Sequence, residues 1–119
     1  MIRNWFYWIA RTKEIASYSK YYIVGRRTGC VLVRKNKLIS KGFNKLKNRK
    51  GLKGHTSVHS EIDALNKANG KTIGSIAYIF RINGGHSRPC RDCWDHLIQN
   101  GIKEIYYENE FGAIVKWKK

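Results

Sequence analysis

The first half of this chain has almost no acidic residues. Residues 1–60 contain 15 lysines and arginines and a single acid, Glu14, whereas residues 61–119 contain 9 basic and 7 acidic residues. The formal net charge is +16. Such an uneven excess of cations favours a polyanionic partner, because clustered cations release counterions when they contact phosphates. A chain that uses charge for solubility, or a proteome rich in lysine, would give the same composition.

A disulfide framework and long apolar runs are also absent. The three cysteines are an odd number, which argues against paired disulfides. No apolar run is long enough to span a bilayer, and the N-terminal segment, with Arg3, Arg11 and Lys13, lacks the continuous apolar core of a signal peptide. We therefore expect an intracellular protein, in the cytoplasm or in a nucleus or nucleoid, without a membrane partner.

Hydrophobic residues make up 42% of the chain, which is enough for one folded core, so we expect a single domain over residues 1–119. Apolar residues at helical spacing predict an amphipathic helix from residue 2 to about 17. The stretches CVLV and LISKGF predict two strands joined by a tight turn. Residues 45–54, KLKNRKGLKG, are predicted to form a basic loop.

The second half of the chain alternates helices with strands. A helix from near Ser57 to Asn69, a buried strand in IGSIAYIFRI and a short helix ending at Gly101 are predicted in that order. Two strands, IKEIYY and AIVKWK, follow around the turn ENEFG. Strands that alternate with crossover helices need parallel pairing in part of the sheet. The order therefore predicts an α/β sandwich around one mixed sheet of about five strands.

Four residues at two predicted helix starts have the chemistry of a hydrolytic metal site. His59 and Glu61 lie in SVHSEIDAL, and Cys90 and Cys93 lie in SRPCRDCWDHL. The 28 residues between Glu61 and Cys90 suffice for the rest of one helix, a strand and a loop, so both helix starts can meet on one side of the sheet. One imidazole and two thiolates suit Zn²⁺ and leave its fourth position open. There Glu61 would move protons instead of binding the metal.

A closed structural zinc site is the alternative. It would need a fourth protein ligand, and His55, His86 and His96 are the candidates. A zinc-stabilised nucleic-acid-binding module without catalysis would have such a site. Glu61 argues against it, because a purely structural site has no use for a carboxylate there. The third cysteine, Cys30, is expected to be a small buried apolar residue.

The motifs HSE and PCRDC together resemble the pattern of zinc-dependent nucleobase deaminases. Over nearly its whole length the chain is similar to the cytidine and deoxycytidylate deaminase superfamily. The resemblance implies a cytidine deaminase-like three-layer α/β/α sandwich and a hydrolase that acts on the C–N bond of a cyclic amidine. It implies one Zn²⁺ per chain on His59, Cys90 and Cys93, with Glu61 as the catalytic proton shuttle.

The resemblance also implies substrate contacts outside the metal motif. They would come from the Asn44 side chain in KGFN, the backbone N–H of Ser60 and the backbone carbonyl of Arg88, with Pro89 setting the turn into the cysteine helix. Relatives often have Ser, Thr or Glu where Arg88 stands, so the wall of the base pocket departs from the family pattern. The predicted C-terminal hairpin resembles free-cytidine deaminases, whereas family members that act on nucleic acids have a helix there.

Charge placement nevertheless favours a polynucleotide substrate, single-stranded DNA or RNA, with cytosine converted to uracil. Residues 18–27 interleave aromatics with cations, as single-strand binding requires, and residues 34–54 contain nine cations and no acid. The candidate phosphate contacts are Arg26, Arg27, Lys45, Lys47, Arg49, Lys50 and Lys53. The alternative is a deaminase of free cytidine, deoxycytidine or their monophosphates. An adenosine deaminase acting on RNA is the less favoured third reading.

Overall fold

The structure, a computed structural model, describes residues 4–47 and 56–119. The helices are α1 (Trp5–Ala16), α2 (Ser60–Ala68) and α3 (Arg91–Gln99), and a 3₁₀ turn covers Val24–Arg26. The strands are β1 (Thr28–Arg34), β2 (Lys37–Phe43), β3 (Lys45–Lys47), β4 (Thr56–Val58), β5 (Ile76–Arg81), β6 (Glu104–Glu108) and β7 (Ile114–Lys118).

Five strands form one mixed sheet in the order β2-β1-β5-β6-β7. The pair β5–β6 is parallel, and the pairs β2–β1, β1–β5 and β6–β7 are antiparallel. Parallel pairing needs a crossover, and α3 supplies it between β5 and β6. The predicted mixed five-stranded sheet and the predicted C-terminal hairpin are both confirmed.

Helices cover both faces of the sheet, so the predicted three-layer sandwich is confirmed. In the central strands alternate side chains point to opposite faces. Val31 and Phe80 pack with Trp8 of α1 on one face, and Leu32 packs with Leu97 of α3 on the other. Because β1 and β5 are buried on both faces, their sequences contain near-continuous apolar runs.

Close approach between α2 and the sheet depends on one glycine. A Cβ added at Gly42 of β2 would lie 2.6 Å from the backbone oxygen of Ser60 and 3.0 Å from Cα of Ala64. These atoms belong to the backbone of α2, which cannot rotate away as a side chain can. Gly42 therefore sets how closely the helix that follows His59 packs on the sheet.

Two local predictions differ from the structure. Residues 45–47 and 56–58 form a short antiparallel pair, β3–β4; the first segment lies in the predicted loop 45–54, and the second overlaps the predicted helix start near Ser57. The second helix begins at Ser60 instead of near Ser57, because His59 still has an extended backbone, with φ −70° and ψ 150°. At the N-terminus, α1 begins where the Asn4 side chain accepts a hydrogen bond from the backbone N–H of Tyr7 at 3.2 Å.

Within the described parts of the chain, no helix combines the length and the apolar character that crossing a bilayer would require.

Candidate metal and substrate site

Three candidate metal ligands meet where α2 and α3 begin. His59 is the N-cap residue of α2, Cys90 is the N-cap residue of α3, and Cys93 lies in the first turn of α3. The Nδ1 atom of His59 lies 3.8 Å from Sγ of Cys90 and 3.3 Å from Sγ of Cys93. Topology explains this meeting, since both helices lie on the same face of the sheet and contact each other. The sequence prediction that these three side chains converge is confirmed.

The arrangement of the three ligand atoms fits a tetrahedral zinc ion. With ordinary Zn–S and Zn–N bond lengths, an imidazole nitrogen and a thiolate sulfur on one such ion are about 3.6 Å apart. The two observed separations, 3.3 and 3.8 Å, lie on either side of that value. Among the described residues no fourth Cys, His or carboxylate joins this group, and neither His86 nor His96 belongs to it. His55 lies outside the described residues.

Glu61 lies beside the ligands without belonging to their cluster. Its side chain is only 5% exposed, in the first turn of α2. The hydroxyl of Ser60 donates a hydrogen bond to its Oε1. Both residues line the same cavity as His59. A buried carboxylate held in this way, next to an open metal position, can take up and release a proton during hydrolysis.

The two buried cysteines have raised pKa values. Burial raises the pKa of the Cys93 thiol well above its usual range, and the neighbouring Glu61 and Cys90 add to the shift. Burial therefore favours the neutral thiol over the thiolate in the protein alone. Cys30 is fully buried in the core, and burial raises its pKa as well. Its predicted role as a small apolar residue is confirmed.

A cavity of about 260 Å³ opens over His59, Ser60 and Glu61. Its lining residues come from α2, from the ends of β1 and β5 and from two loops: Tyr21, Arg26, Thr28, Asn44, His59, Ser60, Glu61, Ile79, Arg81, His86 and Ser87. Sequence reasoning missed Thr28, Ile79, Arg81 and Ser87 and considered His86 only as a metal ligand. Its position in the sequence could have identified Arg81 as a cavity residue, because Arg81 ends the buried strand that precedes the cysteine helix.

Asn44 lines the cavity, but its amide is also engaged by backbone. The N–H of Thr28 donates to its Oδ1 at 2.9 Å, and its Nδ2 donates to the carbonyl of Arg26 at 3.0 Å. The carbonyl of Asn44 in turn accepts from the Ser19 hydroxyl at 2.7 Å. The side chain predicted to contact the substrate therefore also anchors the segment that leads from Arg26 into β1.

Among the described residues predicted to contact phosphate, the structure places Arg26 at the cavity and gives Arg27 and Lys45 other partners. Arg26 lines the cavity, whereas Nε of Arg27 donates to the carbonyl of Tyr21 at 2.9 Å. Nζ of Lys45 lies 3.2 Å from a carboxylate oxygen of Asp63. The side chain of Lys47 lies outside the described part of the chain, as do three more of the candidate contacts: Arg49, Lys50 and Lys53.

The loop between β5 and α3 is tied to the end of β6. Glu108 accepts a hydrogen bond from the Gly85 N–H through its carboxylate at 2.6 Å and from the Ser87 N–H through its carbonyl at 2.9 Å. The hydroxyl of Ser87 donates to the carbonyl of Ile79. These contacts hold His86 and Ser87 at the cavity wall. Arg88 is not among the lining residues, and its guanidinium lies 5.5 Å from the ring centre of Trp94.

Known proteins resemble this chain both in sequence and in fold. A curated relative, the diaminohydroxyphosphoribosylamino-pyrimidine deaminase of Buchnera aphidicola subsp. Schizaphis graminum, is 36% identical over 77 residues, 65% of this chain and 47% of the relative. The chain thus spans about half the length of that protein. The fold is shared with cytidine deaminase from Burkholderia pseudomallei, at a TM-score of 0.70 and 19% identity over 98% of this chain and 93% of that one. It is also shared with dCMP deaminase from the cyanophage S-TIM5, at a TM-score of 0.66 and 20% identity over 87% of this chain and 81% of that one.

The family assignment rests on a match between this chain and the sequence model of a protein family. The model described as "Cytidine and deoxycytidylate deaminase zinc-binding region" matches residues 4–109, which include every described ligand and lining residue of the site. Both the predicted family and zinc as its cofactor are thereby confirmed. The chain belongs to the cytidine and deoxycytidylate deaminase family, in its zinc-binding region.

Proposed function

We propose that the protein is a zinc-dependent hydrolytic deaminase of a free pyrimidine nucleoside or nucleotide, with cytosine to uracil as its preferred reaction. One observation carries this proposal: a buried carboxylate, Glu61, lines the same cavity as His59, on which the two cysteine ligands Cys90 and Cys93 converge. A non-catalytic metal site has no use for that carboxylate. The reaction replaces the exocyclic amine with oxygen from water and releases ammonia.

Each residue of the site then has a defined part. His59, Cys90 and Cys93 hold the metal. Zinc bound at such a site supplies an activated water for hydrolysis. Glu61 would carry two protons in turn: the first goes from the attacking water to the ring nitrogen, and the second goes from the hydroxyl added at the ring carbon to the leaving amine, which departs as ammonia as the C–N bond breaks. The Ser60 hydroxyl, bonded to Oε1 of Glu61, fixes the carboxylate for both transfers.

Cavity size and the relatives together favour a free substrate over a polynucleotide. The volume of about 260 Å³ lies just below the usual range for ligand pockets, which suits a single nucleoside or mononucleotide. The two solved neighbours are named as a cytidine deaminase and a dCMP deaminase, and the curated relative acts on an aminopyrimidine that carries a phosphoribosyl group. A pyrimidine ring with an amine is common to these names.

A polynucleotide substrate is the second candidate, supported by the surface next to the cavity. The rings of Tyr21 and Tyr22 stack with centroids 4.8 Å apart, and Tyr22 is 60% exposed. Exposed aromatics beside cations can stack successive bases of a single strand. The excess of cations in residues 1–60 agrees with such a partner.

A substrate panel distinguishes these candidates. Zinc-loaded protein is incubated with cytidine, deoxycytidine, CMP, dCMP, adenosine and a cytosine-containing single-stranded oligonucleotide, and the deaminated products are measured by mass. Glu61→Gln serves as the inactive control. We expect turnover of free cytosine compounds. Turnover confined to the oligonucleotide would replace the proposal by the second candidate, and turnover confined to adenosine would refute the cytosine preference. No turnover of any compound at full zinc occupancy would refute the proposal itself.

A further inference from the structure

We infer that Arg26, Arg81 and His86 form a phosphate-binding wall of the cavity, so that the substrate is a pyrimidine nucleotide with a phosphate monoester. The inference rests on the proposed function, since it names the substrate class of the same site. All three residues line the cavity that His59 and Glu61 also line. A base reaching the metal ligands would therefore have its sugar and phosphate within the same enclosure as the cations.

Strand pairing brings the two arginines to the same end of the sheet. Arg81 is the last residue of β5, and its Cα partner on β1 is Thr28. Arg26 comes two residues before Thr28, at the end of the 3₁₀ turn. The two arginines thus approach the cavity from neighbouring strands, and the β5–α3 loop adds His86.

Neither arginine has an acidic partner among the described residues. The ion pairs found there join Arg11 to Glu14, Lys45 and Lys67 to Asp63, and Lys116 to Glu104. Of the described residues that line the cavity, only Glu61 is a carboxylate, and its Oε1 accepts from the Ser60 hydroxyl. The carboxylate of Glu108 accepts a hydrogen bond from the N–H of Gly85 in the β5–α3 loop. The cavity wall therefore carries positive charge that its own carboxylates do not neutralise.

Neighbouring hydrogen bonds fix the backbone that carries these cations. Asn44 binds the carbonyl of Arg26 and the N–H of Thr28, so it holds the Arg26 segment against the cavity. The N–H of Ile82 donates to the carbonyl of Arg27 at 2.9 Å, which ties the end of β5 to the same segment. Cations on a fixed backbone recognise an anion without a large ordering cost.

The charge of the ligand favours a monoester over the diester of a polynucleotide. A phosphate monoester is largely dianionic at neutral pH and offers three acceptor oxygens, whereas each diester carries one negative charge. Two guanidinium groups match that dianion because each can donate a pair of parallel hydrogen bonds. A nucleoside would leave both arginines facing the substrate without an anionic partner.

The first test compares nucleotides with nucleosides. We measure kcat/KM of wild type, Arg26→Gln and Arg81→Gln for dCMP, CMP, deoxycytidine and cytidine. Wild type should prefer the nucleotides, and each variant should lose about 10- to 100-fold on nucleotides while the nucleoside values fall far less. Arg81→Lys should recover part of the loss, because it restores the charge.

Arg34→Gln is the matched control. It removes the same charge from the far end of β1, about 20 Å away by strand length, where Arg34 borders a different cavity. Its nucleotide preference should equal that of wild type. An equal loss in this control would mean that overall charge, and not the cavity wall, gives the preference, which would overturn the inference.

A binding test separates the inference from the proposed function. Inorganic phosphate should raise the thermal midpoint of wild type and of Arg34→Gln, but not that of Arg81→Gln. If phosphate stabilises in this pattern while no substrate is deaminated, the phosphate wall stands and the proposed function fails. If nucleosides and nucleotides are deaminated equally and neither arginine variant changes the ratio, the inference fails and the proposed function stands. Preference for an oligonucleotide over dCMP, lost in the arginine variants, would overturn the monoester assignment.

Discussion

Replacing Gly42 with alanine should disturb the site from the sheet side. The added Cβ would lie 2.6 Å from the backbone oxygen of Ser60 and 3.0 Å from Cα of Ala64. Because carbon atoms pack best at about 3.5–4.0 Å, α2 must move away from the sheet by about 1 Å. The start of this helix carries His59 and Glu61, so both the metal ligand and the proton-carrying group move with it.

The expected effects of Gly42→Ala follow from that displacement. Overpacking of this kind costs about 1–3 kcal/mol in the free energy of unfolding, which lowers the melting temperature by roughly 5–15 °C. A misplacement of about 1 Å in the catalytic geometry can lower kcat by about 100-fold. We would measure denaturant unfolding of the zinc-loaded protein, zinc content per chain and kcat for dCMP and cytidine.

Two other glycines supply controls for Gly42→Ala. A Cβ at Gly29 would lie 2.9 Å from the backbone nitrogen of Ala16 in α1, on the opposite face of the sheet. Gly29→Ala should therefore destabilise the protein to a similar degree with a much smaller change in kcat. A Cβ at Gly25 has no atom within 4 Å, so Gly25→Ala should be close to neutral. Wild-type stability and kcat in Gly42→Ala would refute the reasoning, and so would equal losses of kcat in Gly29→Ala and Gly42→Ala.

Three further predictions concern the site and its support. Purified protein should contain about one zinc ion per chain, and Cys90→Ser should lower that content in elemental analysis; unchanged zinc would remove Cys90 from the ligand set. Glu61→Gln should keep zinc and stability and lower kcat by about 100- to 10,000-fold, whereas loss of zinc together with activity would make Glu61 a ligand. Burial raises the pKa of Asp63, but hydrogen bonds from Lys67, from Lys45 and from the Phe43 N–H outweigh it and lower that pKa overall. Since the folded-state pKa is depressed, the carboxylate stabilises the protein above its unfolded pKa of about 3.9, and this stabilisation disappears as the pH falls through the folded value. Asp63→Asn should therefore cost about 1 kcal/mol between pH 5 and 8, with the difference from wild type shrinking below about pH 4; a difference that is the same at pH 3 and pH 7 would contradict the assignment.

Much of the fold and the metal site could be predicted because it depends on local pattern. Apolar runs in β1 and β5, and helical spacing in α1, reflect which side chains each element must bury. His59 and Cys90 occur where helices begin, and helix starts have recognisable sequence signals. Spacing alone then indicated that these helix starts could meet on one side of the sheet.

The rest of the cavity depends on which distant strands pair and in which register. Arg81 reaches the site because it pairs with Thr28, a contact between residues far apart in sequence that no local pattern encodes. Charge partners depend on the same packing, so Asp63 engages Lys45, a residue that composition alone had assigned to phosphate. The Cys93 thiol similarly has a raised pKa because the packed fold buries it and places Glu61 beside it. The sequence by itself determined which chemical groups the protein has and where its elements begin, and only tertiary packing decided which cations face the cavity, because pairing and desolvation are properties of the whole fold.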